Sequence, residues 1–224
     1  MDWLLLDFDG VLGQRSESRS DIVAKKLNLD RKLVRDFYDH GYKAIPELDQ
    51  EAWAIRNQAD EIDFYTHVFM ELTKKYHVTI GNIDFSELAK TFVEVPFELI
   101  PGVDLALKVL KQKYRLGIFS NAHATRRDHE LTYLNILRIF DIILISGEKG
   151  YDKSSLQFYR DAITATGVDA GLIRLVDNDI NPLLMATQAG FEKGVLIAPE
   201  LSKEWETFPD LASMAAKLSF ENRE

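Results

Sequence analysis

Residues 2–10 read DWLLLDFDG, and VLG follows to residue 13. Trp3, Leu4, Leu5 and Leu6 form an apolar run without alternation, the pattern of a strand buried on both faces. The run predicts a strand over residues 3–7. It ends in two carboxylates, Asp7 and Asp9, with Phe8 between them and Gly10 behind. Side chains two apart on a strand share a face, so Asp7 and Asp9 are expected in one site. Two carboxylates brought together there need a compensating cation.

Working outward, the pattern changes at about residue 15. From there to about 95 the chain shows helical spacing and little strand character. Residues 21–27, 31–38, 61–76 and 85–94 are amphipathic at helical period, and Gly41 and Pro46 break the block. After about 96 strands and helices alternate. A Pro101-Gly102 turn leads to a helix over 103–113, then a strand over 115–120. A helix is expected over 124–136, a strand within 139–145, and a helix over 156–166. A buried strand over 172–176 ends at Asp177; a helix then runs to Ala189-Gly190, and Gly194 to Ile197 is the last expected strand. Such alternation implies an α/β fold with a parallel sheet and right-handed crossovers. The helical block at 15–95 reads as an insertion, a cap over the carboxyl edge of a core built from 1–14 and 96–224.

The chain has 224 residues, of which 46% are hydrophobic and 28% charged, with 12 Gly and 6 Pro, so a sizeable core can be buried and disorder is not expected. The net charge of -9 argues against a phosphate-neutralising nucleic-acid surface. The absence of Cys removes disulfides, thiolate nucleophiles and Cys-type zinc sites. Acidic Asp2 and a short apolar run do not make a signal peptide, and no run reaches the ~18 apolar residues of a membrane span. The expectation is a cytoplasmic protein without nucleic-acid or membrane partners, either monomer or homodimer.

In open α/β sheets the ligand lies outside the carboxyl ends of the strands. Four segments there carry polar residues: Asp7 to Gly10, Ser120-Asn121, the region of Lys153, and Asp177-Asn178-Asp179. Mg2+ prefers hard oxygen ligands, and Asp177 or its neighbour can complete a site begun by Asp7 and Asp9. Ser120 and Lys153 supply a hydroxyl and an ammonium for phosphate oxygens.

Together these segments resemble the haloacid dehalogenase superfamily. The first motif is Asp7-Phe8-Asp9-Gly10-Val11-Leu12. The second is Gly117-Ile118-Phe119-Ser120-Asn121, after Pro101-Gly102-Val103. The third is Gly150-Tyr151-Asp152-Lys153, with Tyr159 six residues on, and the fourth is Leu175-Val176-Asp177-Asn178, with Ala189-Gly190 downstream. The resemblance implies a Rossmann-like three-layer core with an inserted all-helical cap, and a Mg2+-dependent phosphatase acting on a small phosphorylated substrate. By carry-over, Asp7 is the nucleophile and forms an aspartyl-phosphate. Asp9 is the general acid and then the base, and its main-chain carbonyl ligates Mg2+. Gly10, Ser120, Asn121 and Lys153 bind the phosphoryl group. The metal is held by Asp7, Asp9, Asp177 and Asn178.

The chain departs from the family pattern at two points. Ser154 follows Lys153 where Pro is usual, and Asn178 stands where counting back from Ala189-Gly190 puts a metal-ligating carboxylate, although counting forward from the strand puts Asp177 there. Residues 13–39 contain no His, against a sugar phosphomutase, and Asp9 favours phosphoryl transfer over carbon–halogen cleavage. A non-catalytic homologue that binds a phosphorylated ligand and a 2-haloacid dehalogenase remain the alternatives. Other residues have plainer readings. Lys149 competes with Lys153. Asp179 caps the following helix. His123, Arg126, Arg127 and His129 form a solvated basic helix face. Trp53, Phe64, Tyr65 and Phe69 are cap core. His40, Tyr42, Lys43 and Arg56 are candidate substrate contacts.

Overall fold

The computed structural model describes residues 2–79, 81–125 and 130–220. In chain order it contains β1 (Trp3–Leu6), β2 (Gly13–Arg15), α1 (Arg19–Leu27), α2 (Arg31–Asp39), α3 (Pro46–Ala54), α4 (Gln58–Lys75), α5 (Phe85–Val93) and β3 (Phe97–Leu99). Then come α6 (Val103–Leu110), β4 (Arg115–Ser120), β5 (Ile142–Ile145), α7 (Ser146–Lys149), α8 (Leu156–Thr166), β6 (Ile173–Asp177), α9 (Ile180–Gln188), β7 (Glu192–Ile197), β8 (Glu206–Phe208) and α10 (Leu211–Phe220). The chain divides into two compact units. One comprises 1–14, 98–122 and 126–224; the other comprises 15–97 and 123–125.

The first unit is built on a six-stranded sheet in the order β5-β4-β1-β6-β7-β8, parallel throughout and surrounded by helices. This is the α/β fold that the alternation of patterns predicts. β1 lies between β4 and β6, with Leu6 opposite Ile118 on one side and Val176 on the other. All four β1 side chains are buried, which explains the unbroken apolar run: both faces of a central parallel strand are covered. Trp3 and Leu5 join Phe119, Phe158, Tyr159, Ile173 and Leu175 in one apolar cluster.

The second unit is helical, with a core of aromatic rings. Tyr65 and Phe92 lie 4.5 Å apart between centroids, and Phe69 and Phe92 meet edge to face at 5.2 Å. Its helices start where side chains can satisfy their free amides: Ser18, Asp30, Asn57 and Asp84 each accept a hydrogen bond from the first turn they precede. Residues 123–125 belong to this unit. Thr125 Oγ1 donates to buried Glu61 at 2.7 Å, and His123 Nε2 lies 3.3 Å from the Tyr65 hydroxyl.

Several expected elements differ. Pro46 starts a helix, α3, because a proline at the first helical position loses no intrahelical bond. Gly194 to Ile197 is not the last strand: β8 and α10 follow. The helix expected to reach 113 stops at Leu110. Of the helix expected over 124–136, residues 130–133 are helical, 124–125 and 134–135 are turns, and 126–129, with Arg126, Arg127 and His129, lie outside the described residues. No helix among the described residues is long and apolar enough to cross a membrane.

Candidate active site

β1 ends at Leu6, one residue earlier than expected, so Asp7 and Asp9 project from a loop rather than a strand. The Asp7 amide still donates to the Val176 carbonyl at 2.9 Å, which fixes Asp7 beside β6. The chain then curls: the Phe8 carbonyl accepts from the amides of Leu12 at 2.9 Å and Gly13 at 3.0 Å. The curl buries Phe8 and Asp7 and leaves Asp9 exposed. Gly10 has φ of 79°, a left-handed conformation that side-chain-bearing residues rarely adopt. A Cβ on Gly10 would also lie 2.3 Å from Asn178 Nδ2, so the first and fourth motifs touch at this glycine.

Ser120 closes β4, fully buried, two residues beyond the Ile118 that faces Leu6. It therefore lies at the same sheet edge as Asp7. Asn121 follows, and its Oδ1 accepts from the Lys153 amide at 2.9 Å. Lys153 Nζ donates to Asp7 Oδ1 at 2.6 Å and to Asp177 Oδ2 at 2.7 Å. Its carbonyl accepts from the Tyr159 hydroxyl at 3.0 Å. Asp177 Oδ1 accepts from the Asp179 amide at 2.9 Å, so both oxygens of this buried carboxylate are engaged. Asp7, Asn121, Lys153 and Asp177 thus form one bonded group, and Gly10 and Asn178 pack beside one another at its edge.

Two buried carboxylates face one buried ammonium. Burial raises the pKa of Asp7, Lys153 opposes this, and Asp177 and Asp9 add to it, so Asp7 is pushed up to about 6. Burial alone would lower Lys153, but Asp7 and Asp177 more than offset it and its pKa rises. Lys153 is therefore a firm cation, and Asp7 is the carboxylate left undercompensated.

The remaining sequence-predicted residues fall elsewhere. Lys149 pairs with Asp161 at 3.4 Å rather than with Asp7. Ser154 donates its amide to Asp152 Oδ1 at 2.9 Å, a local turn that takes the place of the expected proline. Asp179 Oδ1 accepts from the Asn181 amide at 2.9 Å and caps α9. Phe64, Tyr65 and Phe69 are buried in the helical unit, and Trp53 is half-buried. There, Arg56 donates to the carbonyls of Trp53 and Ile55, Tyr42 packs edge to face on Phe64, and His40 and Lys43 are exposed. Sequence reasoning missed Ser146. Its hydroxyl accepts from the Ala122 amide at 3.0 Å and lies 3.1 Å from the Ala122 carbonyl, anchoring the chain just past Asn121. The signal was present: like Ser120, it is a polar residue at the carboxyl end of an apolar strand.

A hard divalent cation is satisfied by oxygen donors, often one or two carboxylates with water and substrate oxygens completing the shell. The Asp7 carboxylate, the Asp9 carbonyl and the Asn178 amide oxygen are donors of this kind. Among the described residues no three acidic or histidine side chains converge as a closed cage. The donor set, with Asp7 undercompensated, fits an open site of that sort.

The chain resembles known hydrolases in sequence and in fold. The family model described as "Hydrolase: haloacid dehalogenase-like hydrolase" matches residues 1–190. Glyceraldehyde 3-phosphate phosphatase from Methanothermobacter thermautotrophicus is 31% identical over 170 residues, 74% of this chain and 71% of that one. The structure of L-2-haloacid dehalogenase from Xanthobacter autotrophicus superposes with a TM-score of 0.69 at 12% identity, covering 98% of each chain. A HAD phosphatase from Thermococcus onnurineus superposes with a TM-score of 0.56 at 15% identity, covering 97% of this chain and 98% of that one. With the family model spanning all four motifs, this chain belongs to the haloacid dehalogenase-like hydrolases.

Proposed function

We propose that this hydrolase is a Mg2+-dependent phosphatase that cleaves a small phosphomonoester through an aspartyl-phosphate on Asp7. The observation that carries the reading is the buried Asp7–Lys153–Asp177 group at the end of the central strand, with Asp9 two residues on. Lys153 holds Asp7 Oδ1, which leaves Oδ2 to attack phosphorus. As the new O–P bond forms, the ester P–O bond breaks and the leaving oxygen takes a proton from Asp9. Asp9, now a carboxylate, takes a proton from water. That water's oxygen attacks phosphorus, the Asp7–phosphorus bond breaks, and inorganic phosphate is released with Asp7 restored.

Ser120, the Asn121 amide, Gly10 and the third N–H of Lys153 hold the charged phosphoryl oxygens in place, where fixed donors favour the transition state. Asn121 Oδ1 is already committed to the Lys153 amide, so Asn121 contributes N–H groups. Asp7, the Asp9 carbonyl and Asn178 would hold Mg2+, with Asp177 bound to Lys153, and the cation would neutralise charge on the phosphoryl group. The relative from Methanothermobacter suggests a substrate of triose-phosphate size.

Phosphate release should be measured over a panel of phosphomonoesters including glyceraldehyde 3-phosphate, with Mg2+ and with EDTA. Turnover that requires Mg2+ and is lost in Asp7→Asn is expected; Asp7→Asn protein active at the wild-type rate overturns the reading. Asn178 supports a second reading, a phospholigand-binding homologue without turnover. Ligand binding that is indifferent to Mg2+, with no phosphate released, would favour it. Halide release from a 2-haloacid without metal would favour a dehalogenase instead.

A further inference from the structure

Lys153 is gripped at both ends of its backbone as well as at its ammonium. Its amide is tied to Asn121, its Nζ to Asp7 and Asp177, and its carbonyl to the hydroxyl of Tyr159. The same hydroxyl lies 3.1 Å from the carbonyl of Pro182, in the first turn of α9. A phenol has one proton, here shared between two acceptors. Tyr159 therefore ties the segment carrying Lys153 to the helix that follows Asp177 and Asn178.

The Tyr159 side chain is completely buried. Its ring packs at 5.1 Å on Phe119, the residue before Ser120, and at 5.7 Å edge to face on Phe191. Packing of this kind needs a ring and no hydroxyl. Phenylalanine would fill the same space without the cost of burying a polar group. The hydroxyl is buried nonetheless and aimed at two carbonyls. Burial, with Asp177, Asp152 and Asp179 nearby, raises its pKa, so it stays a donor.

We infer that Tyr159 is a positioning residue for the reaction, fixing the Lys153 backbone so that the ammonium stays between Asp7 and Asp177. The inference rests on the proposed phosphoryl-transfer reading for its catalytic consequence and on geometry alone for its structural one. Tyr159 touches no reacting atom and acts only through Lys153.

Tyr159→Phe removes the hydroxyl and keeps the ring. The expected result is a kcat lower by about tenfold, the equivalent of one hydrogen bond, with KM changed less than about twofold and thermal stability nearly unchanged. An independent readout is the Lys153 Nζ signal in protein labelled with 15N-lysine. In the wild type it should be a slowly exchanging, salt-bridged ammonium; in Tyr159→Phe it should broaden or move. Tyr159→Leu, which also loses the ring, should lose stability as well, separating the packing role from the hydroxyl's role. A Tyr159→Phe protein with wild-type kcat, or with an unchanged Lys153 signal, overturns the inference. If Asp7→Asn remains active, the phosphatase reading falls, while the Lys153 signal still decides the role of Tyr159.

Discussion

Gly10 and Asn178 lie against each other so closely that a Cβ on Gly10 would come within 2.3 Å of Asn178 Nδ2. They are 168 positions apart in sequence and meet because β1 and β6 are neighbours in the sheet. The contact makes Gly10→Ala a local probe. The substitution meets two obstacles at once: a backbone at φ 79°, which costs a non-glycine residue about 1–2 kcal/mol, and the Asn178 amide in the space the methyl needs. The expected outcome is a melting temperature lower by a few degrees and phosphate release lower by at least about tenfold. Circular dichroism melts and steady-state kinetics would check it, and unchanged activity would show that Asn178 can move aside without consequence.

Asp7 also makes the molecule pH-sensitive. Its folded pKa of about 6 exceeds the ordinary aspartate value of 3.8, so the fold prefers the neutral acid. Below pH 3.8 Asp7 is protonated in both folded and unfolded chains and costs nothing. As pH rises through about 6 that preference is lost, and the buried carboxylate costs about 3 kcal/mol. Asp7→Asn stays neutral throughout. In metal-free buffer it should therefore melt higher than wild type at pH 8 and match it near pH 4. As the proposed nucleophile, Asp7 must be ionised, so kcat/KM should fall below about pH 6 at low Mg2+, and the limb should move lower as Mg2+ favours the carboxylate. Melting curves at the two pH values test the first claim and a pH–rate profile tests the second.

Lys153 Nζ lies within bonding distance of both Asp7, at 2.6 Å, and Asp177, at 2.7 Å. Removing one partner of such a buried group leaves uncompensated charge and costs about 3–5 kcal/mol. Lys153→Met keeps the volume and removes the charge, so it should melt roughly 10 °C lower and release no phosphate. Pairing it with Asp177→Asn removes a carboxylate along with the ammonium and should recover part of the stability but none of the activity. Lys153→Arg should not restore turnover, because a planar guanidinium cannot reproduce a compact ammonium between two carboxylates. A double-mutant cycle on melting free energies measures the coupling, and additivity of the two changes would show that Lys153 and Asp177 do not act as a pair.

The parallel sheet was legible because its inner strands bear their burial openly: Trp3 to Leu6 and Leu175-Val176 are apolar without alternation, as only doubly covered strands need be. β8 was not. It has three residues, two of them the polar, half-exposed Glu206 and Thr207, and an edge strand needs no apolar run. α3 is hidden because a proline breaks a helix only in its interior, and Pro46 stands at the first position of this one. At the site, Asp7, Ser120 and Asp177 were visible as polar residues at strand ends, and Lys153 by its place in the third motif. What composition could not reveal was the choice between Lys153 and Lys149, which is decided by burial. Nor could it reveal what the hydroxyl of Tyr159 does: the third motif marks the residue, but only the fold brings its hydroxyl to the carbonyls of Lys153 and Pro182.

Asn178 gives the sharpest handle on the proposed Mg2+ site. An amide oxygen is a neutral donor, and a hard dication gains far more from a carboxylate. Asn178→Asp should therefore bind Mg2+ more tightly, with the concentration giving half-maximal activity lower by about tenfold or more, the equivalent of about 1.4 kcal/mol. The same change should have the opposite effect without metal. It adds a fourth carboxylate beside Asp7, Asp9 and Asp177, so the metal-free variant should melt lower than wild type and its Asp7 should be harder to ionise. Titrating Mg2+ into both proteins and following the melting temperature separates the two effects. The variant should start lower and climb further, because a ligand that binds only the folded state stabilises it in proportion to the logarithm of its saturation. Parallel curves for the two proteins would place Asn178 outside the metal's reach and leave Asp7 and Asp177 as the carboxylates to test next.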